Sequence, residues 1–230
     1  MTTIADNIAQ VRSRIHAAEQ AAQRTGHSVQ LLAVSKTKPA QALREAYAAG
    51  LRDFGENYLQ EALGKQAELT DLPLIWHFIG PIQSNKTRAI AEHFDWVHSV
   101  DRLKIAQRLS EQRPAELPPL NICIQVNVSG EASKSGCTPA DLPALANAIS
   151  ALPRLKLRGL MAIPEPTDDR AEQDAAFAAV QRLQASLDLP LDTLSMGMSH
   201  DLESAIAQDA TWVRIGTALF GARDYGQTPS

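Results

Sequence analysis

Short apolar runs of four to eight residues alternate along the chain with longer stretches in which apolar positions recur every three or four residues. The runs predict strands and the stretches predict amphipathic helices. Strands are expected at 31–35, 53–56, 74–79, 96–100, 121–128, 156–163, 193–196 and 212–215. A helix over 3–25 precedes the first strand, and further helices are expected over 40–49, 59–69, 86–93, 103–112, 140–151, 170–187 and 202–208. A helix between successive strands returns the chain to the same end of the sheet, so the strands run parallel. Eight such strands predict an α/β fold, a single closed (β/α)₈ TIM barrel with an extra N-terminal helix. The alternative is an open doubly wound sheet with fewer strands. Against it, no Gly-x-Gly-x-x-Gly follows the first strand, where Ser35-Lys36-Thr37-Lys38-Pro39 stands instead. No break in composition divides residues 1–230, so one domain is expected.

Charge and composition narrow the classes of function. There are 22 Lys and Arg against 26 Asp and Glu, a formal charge of −4 with no long run of either sign, which argues against nucleic-acid binding. No apolar stretch approaches membrane-spanning length, and residues 1–26 are polar with charges throughout, unlike a signal peptide or anchor. A cytoplasmic protein is expected. Cys123 and Cys137 lack Cys-x-x-Cys spacing and agree with a reducing compartment. Cys123 falls in an apolar strand pattern and Cys137 in a polar loop, so neither reads as a nucleophile. The six histidines show no zinc-like pairing, and no metal is expected.

A barrel gathers its reacting groups at the C-terminal ends of its strands. Those ends carry Lys36 after the first strand, Asn57 after the second, and His77 with Gly80 on and after the third. Asn127 lies on the fifth, Ser195 and Met196-Gly197-Met198-Ser199 follow the seventh, and Arg214-Ile215-Gly216-Thr217 ends the eighth. A lone lysine at a strand end is usually a solvated charge, but one partly removed from water can lose its proton and attack an aldehyde. Its company decides the case. Gly197 and Gly216 let backbone approach a ligand, Ser199 is placed to cap the following helix, and barrels commonly bind phosphate at their seventh and eighth loops. The plainer reading is that Ser199 only caps and the glycines only turn. An amine opposite a phosphate cradle suggests pyridoxal 5′-phosphate, which carries an aldehyde and a phosphate on one ring. Arg214 cannot give up a proton, so at the pyridine nitrogen it would leave that nitrogen unprotonated and weaken the ring as an electron sink. Its plainer reading is a pair with a surface carboxylate.

The stretch Trp76-His77-Phe78-Ile79-Gly80-Pro81-Ile82-Gln83-Ser84-Asn85-Lys86 resembles the signature of the pyridoxal phosphate homeostasis protein family, of the YggS/PROSC type. Four more segments resemble the family in the right order: Leu32-Ala33-Val34-Ser35-Lys36, Phe54-Gly55-Glu56-Asn57-Tyr58, Ser195-Met196-Gly197-Met198-Ser199 with Asp201, and Arg214-Ile215-Gly216-Thr217. The resemblance implies that Lys36 holds pyridoxal phosphate as an internal aldimine and that Ser199, Gly216 and Thr217 bind its phosphate. It also implies that Arg214 lies at the pyridine side and that Asn57 and His77 line the pocket. The family's fold resembles the N-terminal barrel of alanine racemase without the racemase's added β domain.

Racemisation needs acid and base groups on both faces of the substrate carbon. The tyrosines are Tyr47, Tyr58 and Tyr225, and none is clearly placed as the opposite-face base. The leading expectation is therefore a monomeric, cytoplasmic protein of vitamin B6 homeostasis that holds pyridoxal phosphate as a Schiff base and buffers it or delivers it to apo-enzymes. Two other readings stay open: a weak amino-acid racemase or related pyridoxal-phosphate enzyme, and an aldolase-type barrel using Lys36 without a cofactor. Ser133-Lys134-Ser135-Gly136, within the 129–139 loop, offers a second amine that could join in cofactor exchange, although a solvated surface role suits Lys134 better.

Overall fold

In a computed structural model, whose described residues are 1–222, eight parallel strands close into a barrel in chain order. They are β1 Gln30–Val34, β2 Asp53–Glu56, β3 Ile75–Phe78, β4 Trp96–Val100, β5 Leu120–Gln125, β6 Leu155–Met161, β7 Thr193–Ser195 and β8 Trp212–Ile215. Closure is made by β1 against β8, with Leu32 opposite Arg214 and Ala33 opposite Ile215. The helices, all expected save the last, are α1 Ile4–Ala21, α2 Ala40–Ala48, α3 Leu59–Glu68, α4 Thr87–His93, α5 Leu103–Gln112, α6 Leu142–Ser150, α7 Arg170–Ala185, α8 Leu202–Ala207 and α9 Thr217–Phe220. The TIM-barrel expectation, with its extra N-terminal helix, holds. No helix among the described residues is long and apolar enough to cross a membrane.

Local chemistry explains where the elements begin and end. A capping box of Thr3 and Asp6 opens α1, and Ile8, Val11, Ile15 and Ala18 make its buried stripe. The helix stops well before the expected residue 25 because Gln23 turns to φ 55°, a left-handed conformation that no glycine advertises in the sequence. Glu19 then ties α1 to β1 by accepting from the backbone of His27 and Val29 and from the Ser28 hydroxyl. Burial works against its charge, but these hydrogen bonds hold the carboxyl below its usual range. Arg14 of α1 reaches α8, donating to both carboxylate oxygens of Glu203 and to the Ser199 carbonyl.

Side chains alternate between two environments along each strand. One set packs between the strands and the helices, as Ala33, Phe54, Val97, Ile122, Leu160, Val213 and Ile215 do. The other fills the barrel, where Leu32, Ile79, Trp96, Cys123, Met161 and Trp212 form a separate apolar cluster. On β6, Gly159 permits the backbone of β7 to come close; a Cβ there would lie 1.7 Å from the Thr193 oxygen. β5 ends at Gln125, short of the expected 128, because Asn127 turns its amide to the carbonyls of Glu131 and Lys134. Asn127 thus holds the loop after β5.

Candidate functional site

A cleft of about 240 Å³ opens at the C-terminal ends of the strands. It brings together Lys36, Asn57, Ser199, Arg214, Gly216 and Thr217, with Val34, Ile79, Ile163 and Met198 as apolar walls. Each polar group sits just past, or at the end of, the strand that the pattern assigned to it. His200 joins the lining without having been singled out in the sequence; it lies 3.5 Å from Asp201. Met196, by contrast, is buried in the core. A larger cavity of about 760 Å³ lies at the opposite end of the barrel, beneath α1, with Arg12, His16, Arg52 and Asp53 on its walls and none of the strand-end groups.

The backbone on either side of Lys36 is pinned. Ser35, at the end of β1, donates its backbone N–H to the Gly55 carbonyl and its hydroxyl to Glu56 Oε1 at 2.8 Å. Lys65 of α3 donates to the Ser35 carbonyl and to Glu56 Oε1, both at 2.7 Å, and also pairs with Glu61 at 2.7 Å. Thr37 takes φ 65°, and its N–H donates to Glu61 Oε1 at 2.6 Å. Glu56 is fully buried; burial pushes its carboxyl above the usual range against the pull of Lys65 and Ser35. Lys36 itself is half-buried between these anchored neighbours. A strained turn held by a buried ion cluster fixes where its side chain starts.

Asn57 is held from the other side. A Cβ on Gly80 would lie 2.4 Å from the Asn57 carbonyl oxygen, so only glycine admits this approach of the β3 turn. The Asn57 side-chain oxygen is buried without a hydrogen-bond partner, an open position that a ligand group can fill. Arg214 is buried at the end of β8, where Nη1 donates to the Ser195 carbonyl at 2.7 Å and to Ser195 Oγ at 2.8 Å. Its Nη2 donates to the Ala162 carbonyl at 2.9 Å. Burial lowers its pKa to about 10, so the guanidinium stays charged at neutral pH.

Two expectations need correction. His77 does not line the cleft: its ring is fully buried lower in the barrel, with Nε2 2.8 Å from Asp53 Oδ1 and Nδ1 2.9 Å from His98 Nε2. The strand period gave the side of β3 that His77 faces but not its height, and the ring is stacked on Trp96. Nor does Ser199 cap α8, whose N-cap residue is Asp201. Asp201 instead accepts from the Met198 N–H at 2.6 Å, while Ser199 Oγ accepts from the Ala218 N–H at 3.4 Å, which links the seventh loop to the first turn of α9.

Other candidates lie elsewhere. Lys134 stands 4.0 Å from Glu131 and 3.9 Å from Glu165 on the surface, outside the cleft lining. Tyr47 packs beneath the Arg52 guanidinium, Tyr58 is exposed at the start of α3, and Tyr225 lies outside the described residues. Among the described residues, no group of three or more His, Cys, Asp and Glu could hold a metal ion.

The geometry can be set beside known proteins. The alanine racemase N-terminal domain family matches residues 4–224. The pyridoxal phosphate homeostasis protein of Pseudomonas aeruginosa is 77% identical over 230 residues, covering 100% of both chains. That of Escherichia coli K12 is 54% identical, covering 99% of this chain and 100% of its own. The structure of PipY from Synechococcus elongatus with PLP bound is 47% identical, covers 95% of this chain and 100% of that one, and superimposes with a TM-score of 0.84. With such identity sustained from end to end on a barrel of the same shape, the chain belongs to the pyridoxal phosphate homeostasis protein family, whose fold is that of the alanine racemase N-terminal domain.

Proposed function

We propose that the chain binds pyridoxal 5′-phosphate in the cleft at the C-terminal end of the barrel and serves cytoplasmic vitamin B6 homeostasis. The observation that carries this reading is the meeting of Lys36, Arg214, Ser199, Gly216 and Thr217 around a space of about 240 Å³. The donor set fits the ligand. Lys36 Nζ would condense with the aldehyde to a Schiff base, releasing one water, so that the linkage is covalent but reversible. Ser199, Gly216 and Thr217 would hold the phosphate, and Val34, Ile79 and Met198 offer apolar cover. The unfilled acceptor on Asn57 awaits a donor.

Bound there, the ligand would supply an electrophilic carbon and an electron-withdrawing ring. Arg214 supports holding over catalysis. A guanidinium has donors only, so at the ring nitrogen it leaves that nitrogen without a proton and limits the ring's capacity to stabilise a carbanion. No tyrosine among the described residues lines the cleft. Both features favour a protein that buffers pyridoxal phosphate or passes it to apo-enzymes, with release when another amine displaces Lys36. Cys123 and Cys137, both free, suit a reducing compartment.

The test is an absorption spectrum of the protein with added pyridoxal phosphate, followed by borohydride reduction and peptide mapping. A visible band lost on reduction, with the pyridoxyl mass on Lys36, is expected, and Lys36→Ala should abolish both. Absence of the band, or a label on another lysine, would sink the proposal.

A further inference from the structure

Five polar side chains form an unbroken hydrogen-bonded file from the cleft to the far end of the barrel. Arg214 Nη1 lies 2.8 Å from Ser195 Oγ, which lies 2.7 Å from His98 Nδ1. His98 Nε2 is 2.9 Å from His77 Nδ1, and His77 Nε2 is 2.8 Å from Asp53 Oδ1. Arg214, Ser195, His98 and His77 are all buried. Asp53 alone emerges, its side chain 21% exposed, on the wall of the cavity beneath α1. Trp96 stacks on His77 with centroids 5.4 Å apart, and Trp212 packs against the same ring at 4.9 Å, so aromatic surface encloses the middle of the file.

The two ends of this file determine its direction. A guanidinium can only donate and an ionised carboxylate can only accept. Burial pushes the pKa of both histidines down, and the nearby His77 and Arg214 push His98 further, so each ring is neutral with one N–H. With Asp53 accepting, His77 must carry its proton on Nε2, which makes its Nδ1 an acceptor. His98 must then donate from Nε2 and accept at Nδ1. Ser195 must turn its hydroxyl hydrogen to His98, leaving Oγ to accept from Arg214. All four hydrogen bonds point from cation to anion, the arrangement in which neighbours polarise one another favourably.

A neutral group in place of the carboxylate removes that constraint. In the reversed arrangement His98 Nδ1–H donates to Ser195 Oγ, which already accepts from Arg214, and the serine hydrogen must find another acceptor near the guanidinium. We propose that Asp53 is a positioning residue for Arg214: from the opposite end of the barrel, its carboxylate sets the direction of every hydrogen bond in the file. It thereby keeps the Ser195 hydroxyl hydrogen on His98 and away from the guanidinium, so that Oγ accepts from Arg214 Nη1 and holds the guanidinium in place beside the cleft. The consequence for ligand binding rests on reading that cleft as a pyridoxal phosphate site.

The test uses the full chain, with imidazole nitrogen NMR on the ligand-free protein and absorbance titration with pyridoxal phosphate. Wild type is expected to carry its proton on Nε2 of both His77 and His98. Asp53→Asn, whose amide can donate as well as accept, should populate Nδ1-protonated forms of both rings and move the Arg214 guanidinium resonances without ligand. It should also weaken pyridoxal phosphate retention by about three- to tenfold, the scale of one misdirected hydrogen bond. Asp53→Glu restores the carboxylate and should recover the wild-type tautomers and most of the retention. An Nδ1-protonated or doubly protonated ring in wild type overturns the inference even if the variants do not fold. Unchanged tautomers or unchanged Arg214 resonances in Asp53→Asn overturn it too, as does equal retention in that variant and wild type. If neither protein takes up pyridoxal phosphate while the tautomers and Arg214 respond as described, the positioning role stands and the cofactor reading of the cleft fails.

Discussion

Replacing Lys65 with methionine keeps the length of the side chain and removes its charge, and the structure allows the loss to be sized. The Lys65 side chain is 6% exposed and its ammonium makes 2.7 Å contacts with Glu56, Glu61 and the Ser35 carbonyl, while the Glu56 side chain is entirely buried. Breaking a buried pair by deleting one partner costs about 3–5 kcal/mol, because the other charge remains without compensation. For a chain of this size, about 1 kcal/mol moves the melting point by roughly 2–4 °C, so a fall of roughly 6–20 °C is expected by calorimetry or circular dichroism. The loss should depend on pH. Burial already holds Glu56 above its usual range, and without Lys65 its folded pKa rises further above the unfolded value. Such a group contributes stability that is full below the unfolded pKa and is lost as pH rises through the folded one. The variant's deficit should therefore be larger at about pH 8 than at about pH 5. Adding Glu56→Gln to Lys65→Met should recover part of the loss, since no buried charge is then left unpaired. A deficit below about 1 kcal/mol, as for an exposed pair, or one equal at both pH values, would refute this account.

Two further outcomes follow from close contacts and burial. Gly80→Ala places a Cβ 2.4 Å from the Asn57 carbonyl oxygen, so backbone must move; a loss of about 1–3 kcal/mol in urea denaturation, with weaker pyridoxal phosphate uptake, is expected. An alanine variant of unchanged stability and uptake would contradict the tight approach. Burial raises the Cys123 thiol to about 12 and the Cys137 thiol to about 11, so the native protein should resist iodoacetamide at neutral pH and label at both sites in denaturant. Rapid native labelling of either cysteine would show that its thiol is not enclosed as the structure has it.

The architecture was readable in the sequence because every strand is a short apolar run set between helical patterns. Its edges were less so, since periodicity reports burial and not pairing. Val126 continues the apolar pattern of β5, is buried and donates its N–H to the Met161 carbonyl of β6, yet past Gln125 the ladder gives way to an isolated bridge between Val126 and Cys137. The four residues of α9 are too few to show a helical period. Six of the seven candidate site residues meet in one cleft because the barrel rule converts position at a strand end into proximity. His77 fell outside it because height within the barrel depends on shear and neighbouring rings, which a linear pattern does not carry. Lys65 gave no signal either. A lysine on an amphipathic helix reads as solvent-facing, and it takes Glu56 on β2 and the Ser35 carbonyl just past β1 to draw this one inward.

The two ends of the cleft are supported by networks that lie on opposite sides of the sheet. Lys36 depends on Ser35, Glu56, Glu61 and Lys65, packed between the strands and α3. Arg214 depends on Ser195, His98, His77 and Asp53 inside the barrel, space that branched aliphatic side chains usually fill. Neither network adds apolar burial, and a buried charge left alone destabilises the fold, so packing alone gives no account of their presence. Position does. On the function proposed above, a ligand held at both ends would need an amine and a guanidinium kept at a set separation, and the backbone around Lys36 and the Arg214 side chain are held by separate sets of groups. A disturbance of Lys65 should consequently act on the Lys36 side of the cleft first, and a disturbance of Asp53 on the Arg214 side.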